Sequence, residues 1–449
     1  MNFVSKVSTL LIFLTATTTG LSQVEFETTL STSGYYSTED ELPFWMITNK
    51  NGALSSKTDG IFQGGTKVLY DYSENNKAKL SAGVSFFLRN GLEDRLQRDE
   101  VYIQFENTWL RAIVGAQNPE DRFQGLSVVD NNFLISGNAR AIPGVLVETT
   151  KPISIFENFG IEGGIGHYEL NDNRVTKNTM IHYKKLYINW GIGNRSTLRF
   201  GIEHYAQWGG TSPEFGKQKQ AFSDFLNVFF AKNSLESTND NERLNALGNH
   251  LGIYNLEYTY APTIGEFKLY HQHPFEDGSG TALKNFPDGI WGLYYKPNQE
   301  DYTGFLKGIV LEYFQTVSQS GRFGRSGRDN YFNNKIYPTG WRYDKSIIGF
   351  PFFDNRPIDE LIANTRVRGG HIGILGAVKN WDLLAKISYT ENLGRYDTPL
   401  NPKENRLYSL FKTSYTIPTI GKVSLEMAYD FNSEKSNKFG SGLTYTYSF

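Results

Sequence analysis

The chain has no cysteine, only four methionines, and no run approaching 18 consecutive apolar residues. The first absence excludes a disulfide scaffold, a cysteine–zinc site and a cysteine nucleophile. The last excludes a transmembrane helix. Charge of one sign is also lacking: 45 Lys+Arg stand against 47 Asp+Glu, a formal net charge of −2, so nothing points to nucleic acid as a partner. Aromatics and glycine are what the chain has in plenty, with 7 Trp, 27 Tyr, 32 Phe and 44 Gly. That balance favours strands and turns over helix bundles. A length of 449 residues would ordinarily suggest about three domains, a rule that large single β-barrels break.

The first residues read as a targeting segment. Lys6 supplies a positive start, Val7 to Ala16 a short apolar core, and Gly20 and Ser22 small residues at the −3 and −1 positions. This pattern predicts a signal peptide over residues 1–22, cleaved before Gln23, and a mature chain 23–449 that leaves the cytoplasm.

The C-terminal half sets the fold class. Val423, Leu425, Met427, Tyr429 and Phe431 alternate with Lys422, Ser424, Glu426, Ala428 and Asp430. Trp381, Leu383, Ala385, Ile387 and Tyr389 repeat the pattern, and the chain ends on an aromatic residue, Phe449. A period of two places the two sets on opposite faces of one strand. Segments of about ten residues in this pattern suit a tilted bilayer crossing. Eighteen such strands are predicted: 24–36, 61–72, 78–89, 98–106, 109–116, 144–150, 159–168, 180–190, 197–206, 251–260, 264–271, 288–296, 305–316, 370–378, 381–390, 406–416, 421–431 and 439–449. Hydrocarbon cannot hydrogen-bond a backbone, so strands that cross it must close into a barrel. The expected fold is therefore an all-β, antiparallel outer-membrane β-barrel of about 18 strands, monomeric and surrounded by outer-membrane lipid and lipopolysaccharide.

Connections alternate in length. Those assigned to the periplasm, such as 151–158, 379–380 and 417–420, are short, and those assigned to the exterior include 117–143, 207–250 and 317–369. One exterior connection carries a helical signal over Ala221 to Ala231, where Phe222, Phe225, Leu226, Phe229 and Phe230 recur at spacings of three and four.

Two exterior segments hold candidate chemistry. His271 and His273 lie at i and i+2, facing one side of an extended strand, with Glu276 and Asp277 following. Metal ligation and ordinary loop hydrogen bonding both fit them, and the Asp-Gly-Ser-Gly turn chemistry favours the latter, so no metal or other cofactor is assigned. Residues 317–368 hold seven Arg (322, 325, 328, 342, 356, 366 and 368), Lys335 and Lys345, five acids and nine aromatics including Tyr331, Phe332, Trp341 and Tyr343. Guanidinium forks bind carboxylate or phosphate, and aromatic faces stack on sugar rings. The same composition also suits a loop that packs on itself. No Gly-x-Ser-x-Gly elbow, phosphate loop or dinucleotide pattern occurs, so an enzyme is not expected.

Several motifs together resemble a known family. They are His273-Pro-Phe-Glu-Asp-Gly-Ser-Gly280, Pro287-Asp-Gly-Ile-Trp-Gly-Leu293, Gly327-Arg-Asp-Asn-Tyr-Phe-Asn-Asn334, then Tyr337, Gly340-Trp341 and Ile348-Gly349, with Leu42-Pro-Phe-Trp45 and Asn51-Gly52 near the start. In this order they are similar to the capsule assembly Wzi family. The resemblance implies an 18-stranded outer-membrane lectin that holds capsular or other exopolysaccharide at the cell surface through its outer loops. It also implies a helical plug at the periplasmic end. Here the first strand follows directly on the expected cleavage site, so that plug is expected to be missing or replaced.

The residues expected to bind glycan are Arg328, Asp329, Asn330, Tyr331, Trp341 and Arg342, followed by His271, His273, Glu276 and Asp277. In this reading Arg328 grips an acidic group, Trp341 or Tyr331 stacks on a ring, and Asp329, Asn330 and Asp277 bond hydroxyls. Each residue fits a bracing role in its loop equally. A porin and an outer-membrane hydrolase are the rival functions.

Overall fold

The computed structural model describes residues 24–71, 78–232, 246–298, 304–322, 328–354, 357 and 359–449. The expected signal peptide lies outside these residues, as do Arg325, Gly327 and Arg356 of the longest connection.

The strands form one closed antiparallel wall. The first strand, Val24–Ser37, pairs with its successor Gly60–Asp71 on one side and with the last strand, Lys438–Ser448, on the other, from Thr29↔Ser448 to Ser37↔Gly440. All eighteen predicted strands are present. A nineteenth strand, Ile153–Phe156, pairs with Phe159–Leu170 on the same edge as Gly144–Thr149. It falls within the expected turn 151–158. Pro152, which has no N–H to give the ladder, sits at the break between the two pieces. A second difference is Pro399–Ile417, which starts seven residues before the expected 406 and continues the ladder to Gly394↔Pro399. The expected 15-residue connection 391–405 thereby shrinks to a tight turn.

The alternation has the sense that lipid demands. On Gly421–Asn432, Leu425, Met427, Tyr429 and Phe431 are exposed on the outer side, whereas Ser424, Glu426 and Ala428 are buried in the lumen. On Trp381–Gly394, Trp381, Ile387 and Tyr389 face out and Lys386, Ser388 and Thr390 face in. Aromatics ring both rims, with Trp109, Phe156, Trp190, Trp381 and Phe449 at one and Trp291, Tyr313, Tyr389 and Phe439 at the other. These rings match the interfacial girdles of outer-membrane barrels.

The lumen is partly filled, and a cavity of about 380 Å³ remains, lined by inward-facing groups such as Arg111, Glu148, Glu162, Lys185 and Glu203. Leu110–Ala116 and Gly144–Thr149 are short strands that leave the wall part-way up, Ala116 pairing with Val101 in the middle of Leu96–Asn107. The departure needs a glycine: Gly115 has φ +119°, and a Cβ there would sit 2.2 Å from the Val101 carbonyl oxygen. Between the two strands, segment 117–143 turns into the barrel. Its contacts with the wall are polar along much of its length, as the inner face is, with Phe123 as an exception: it stacks on Tyr270 (centroids 4.7 Å apart) and meets Tyr294 edge-on. The Glu312 carboxylate accepts from Ser127 Oγ (2.6 Å) and Val128 N (2.9 Å), and Gln272 Oε1 accepts from Phe133 N (2.8 Å). Leu126 O lies 2.7 Å from His371 Nε2, which fixes that ring nitrogen as the protonated one. The wall admits the segment where it lacks side chains: a Cβ on Gly373 would be 2.4 Å from Leu126 O.

Above this insert the longest connection forms an aromatic cap. Phe133 of the insert stacks on Phe350 (centroids 5.1 Å apart) and meets Phe332 and Phe353 edge-on. The short helix Phe44–Ile47, from the first exterior connection, adds Trp45 against Phe352. The predicted helix in the third long connection is present as Phe222–Phe229.

Candidate functional site

The strand Gly265–Phe275 delivers Glu276 and Asp277 to the outer rim. Asp277 then caps the helical turn Gly278–Thr281, its Oδ1 accepting from Ser279 N (2.8 Å) and Gly280 N (3.0 Å). This is the turn chemistry expected of Asp before Gly-Ser-Gly. Ser279 Oγ lies 2.7 Å from Asp277 Oδ1 and 3.4 Å from Asp329 Oδ2, joining two carboxylates far apart in the chain. Ser320 Oγ donates to Asp329 Oδ2 at 2.6 Å.

Burial raises two of these acids above the usual carboxylate range. Burial pushes the Asp329 carboxyl up to about 7; the Ser320 hydroxyl opposes the shift and the neighbouring Asp277 charge adds to it. Burial raises Glu276 well above the usual carboxylate range, although its Oε1 accepts from Phe332 N at 2.7 Å. Asn330 stands beside this group, its Oδ1 accepting from Thr365 Oγ1 (3.0 Å) and Asn333 Nδ2 (3.0 Å). Glu276, Asp277, Asp329, Asn330, Asn333 and Asn334 all line one cavity of about 1290 Å³ at the outer rim. Four predicted residues from two separate loops therefore meet. Asn333 and Asn334 had a sequence signal, since they close the polar run that starts at Asp329.

The other predicted residues lie elsewhere. Tyr331 and Trp341 are fully buried and present no ring face to solvent. The Tyr331 hydroxyl donates to Asp288 Oδ2 (3.0 Å) and the Trp341 indole donates to Leu134 O (2.7 Å), which fastens cap to insert. Arg342 is also buried and donates to the carbonyls of Pro357 (3.0 Å) and Glu360 (3.1 Å). Burial lowers its guanidinium to about 10.

His271 and His273 do share a side, and it is the outer face of the wall. His271 stacks on Trp291 with centroids 3.6 Å apart, and His273 is held by Asn285 Oδ1 (2.9 Å) and Asp288 O (3.0 Å). Among the described residues no group of three or more His, Asp or Glu side chains is placed to hold a metal ion.

Several arginines of the longest connection are engaged by neighbours. Arg328 pairs with Asp397 (3.2 Å) at the surface, Arg366 lies 3.9 Å over the Tyr396 ring, and Arg368 bonds Glu391. The charges of these three are met locally, which composition could not reveal.

The family model for capsule assembly protein Wzi matches residues 130–355, just over half of the chain, from the insert through the cap. Among solved structures, Wzi of Escherichia coli, an outer-membrane protein involved in group 1 capsule assembly and a carbohydrate-binding β-barrel, aligns with a TM-score of 0.57 at 13% identity, over 98% of this chain and 87% of that one. OccK5 (OpdH) of Pseudomonas aeruginosa aligns with a TM-score of 0.49 at 9% identity, over 95% of this chain and 98% of that one. No curated protein matches the chain in sequence.

Proposed function

Because the chain belongs to the capsule assembly protein Wzi family and is an outer-membrane barrel, we propose that it binds capsular or other surface polysaccharide, without catalysis, and helps to anchor it at the cell surface. The observation that carries this reading is the convergence of Glu276, Asp277, Asp329 and Asn330 on one outward cavity. Carboxylates and amides accept and donate in the geometry that sugar hydroxyls need, and charged acceptors make the stronger bonds. The same carboxylates disfavour a polyanion. The sugars held at this end of the cavity are therefore neutral or amino sugars. Tyr331, Trp341 and Arg342 brace the cavity floor.

The test is polysaccharide binding by the purified barrel. Asn330→Ala should weaken binding roughly tenfold, as loss of one or two well-formed hydrogen bonds implies, without lowering the yield of folded barrel. Cells carrying the variant should shed polymer to the medium. Unchanged retention in both Asn330→Ala and Asp329→Ala would sink the assignment.

A further inference from the structure

The cavity that holds the polar cluster does not end there. It continues over the rim to the outward side of the wall, where Gly163, Ile165, Leu186, Ile202 and Phe229 line it. These positions alternate with the inward-pointing Glu162, Lys185 and Glu203, so their side chains face lipid. Ile165 and Leu186 are each 51% exposed, as fully as the rest of the apolar belt. They belong to the lipid-facing surface and to the cavity at once.

The roof of this end is unusual. Helix Phe222–Phe229 lies outside the wall, with Phe225 and Phe229 packed on the outward-facing His182, and Phe225 also on Trp208 and His167. Beside them on the same broad apolar face Phe222 and Leu226 stay uncovered, and Phe230 follows at the helix end, exposed by 75%, 40% and 60%, while Ser223, Asp224 and Asn227 take the opposite face. An apolar face that is only partly covered and seated against a membrane wall extends the hydrocarbon-facing surface. Between the two ends of the cavity stand Lys232 and the Lys184 ammonium, the latter bonded to Phe229 O.

We propose that this cavity takes a glycolipid of the outer leaflet, its sugars at the Asp277–Asp329–Asn330 end and its hydrocarbon at the Gly163–Leu186–Ile202 end. The inference rests on the polysaccharide reading above and adds that the polymer is held together with its lipid. The cavity is polar at one end, apolar at the other, and open to lipid along its apolar end. A free polysaccharide would leave that end without a partner, whereas an acyl chain would bury apolar surface there.

The experiment uses the full barrel in phospholipid nanodiscs. One probe is lipopolysaccharide purified from the organism itself; the other is the same glycan freed of its lipid by mild acid. Wild type should bind the intact glycolipid at least tenfold more tightly than the freed glycan. Gly163→Trp fills the apolar end from a position where a Cβ meets nothing closer than Lys185 O at 3.8 Å. It should abolish that preference while leaving binding of the freed glycan unchanged. Asn330→Ala should weaken both probes equally. Equal binding of the two probes by wild type, or a preference that survives Gly163→Trp, overturns the glycolipid proposal and leaves the polysaccharide reading standing. Binding of neither probe overturns this proposal, while the polysaccharide reading is judged by the capsule-shedding assay above.

Discussion

Segment 117–143 touches two surroundings that differ in kind. Toward the wall it offers backbone and small polar groups beside a single ring, Phe123 on Tyr270: Ser127, Val128 N, Leu126 O and Phe133 N bond Glu312, His371 and Gln272. Toward the cap it offers rings: Phe133 meets Phe332, Phe350 and Phe353. The difference follows from which solvent each neighbour was built to face. A barrel wall puts its apolar half in lipid and keeps its polar half for the lumen, so whatever fills the lumen must satisfy buried carboxylates and imidazoles. The cap has no lipid to face and is free to form an ordinary aromatic core. The insert thus joins an inverted protein to a conventional one.

The largest expected effect comes from removing the polar side of this contrast. The wild-type barrel should pass little current in planar bilayers, and replacing residues 121–136 with a short Gly-Ser linker should convert it into a steady pore, since an 18-stranded wall is wide enough for water. Gly373→Val, whose Cβ would strike Leu126 O, should move conductance in the same direction by displacing the insert. If the trimmed barrel stayed closed, the insert would not be what blocks it.

The aromatic side should matter for stability rather than conductance. Phe133→Ala should cost about 3–5 kcal/mol, the usual range for deleting a buried ring, read as a lowered urea midpoint in micelles with the current still low. A large current from this variant would erase the distinction between the two faces.

The smallest effect concerns pH. Asp329 carries a proton in the folded state up to about 7, whereas an unfolded Asp loses it at about 4. The folded cap then binds more protons between these values, so its stability is fullest at low pH and falls as pH rises from about 4 to about 7. Asp329→Asn should flatten that slope, so the melting temperature of the variant gains on wild type as pH rises through this window. Parallel curves would show that the residue is not buried as described.

The barrel was legible because lipid imposes one rule along every crossing. The alternation of Val423 to Phe431 survives whatever the residues later touch, since period two sorts them between hydrocarbon and lumen. The break at Pro152 on the periplasmic side and the early start of Pro399–Ile417 on the outer side escaped because ladders continue past the membrane at both ends, where that rule relaxes. The insert was not legible at all. Leu126, Val128, Phe133 and Leu134 show no period, and their destination is set by Glu312 and His371, more than 180 residues away. The site was legible in part. Asp277 and Asp329 could be chosen as residue types, but their meeting depends on Ser279 and Ser320. Trp341 and Tyr331 mislead for a physical reason: an aromatic ring in a loop serves a sugar face or a buried core equally well, and here both rings are buried.

The two stems of the insert, Gly115 and Gly144, are ladder partners on neighbouring strands. Seventeen strands and the whole cap could move without separating them. The insert therefore hangs from a single edge, like a door on one jamb. A swing of the insert would pivot about that jamb, and it would have to break the bonds to Glu312, Gln272 and His371 on the far side as well as those to the cap at Ile348 and Trp341.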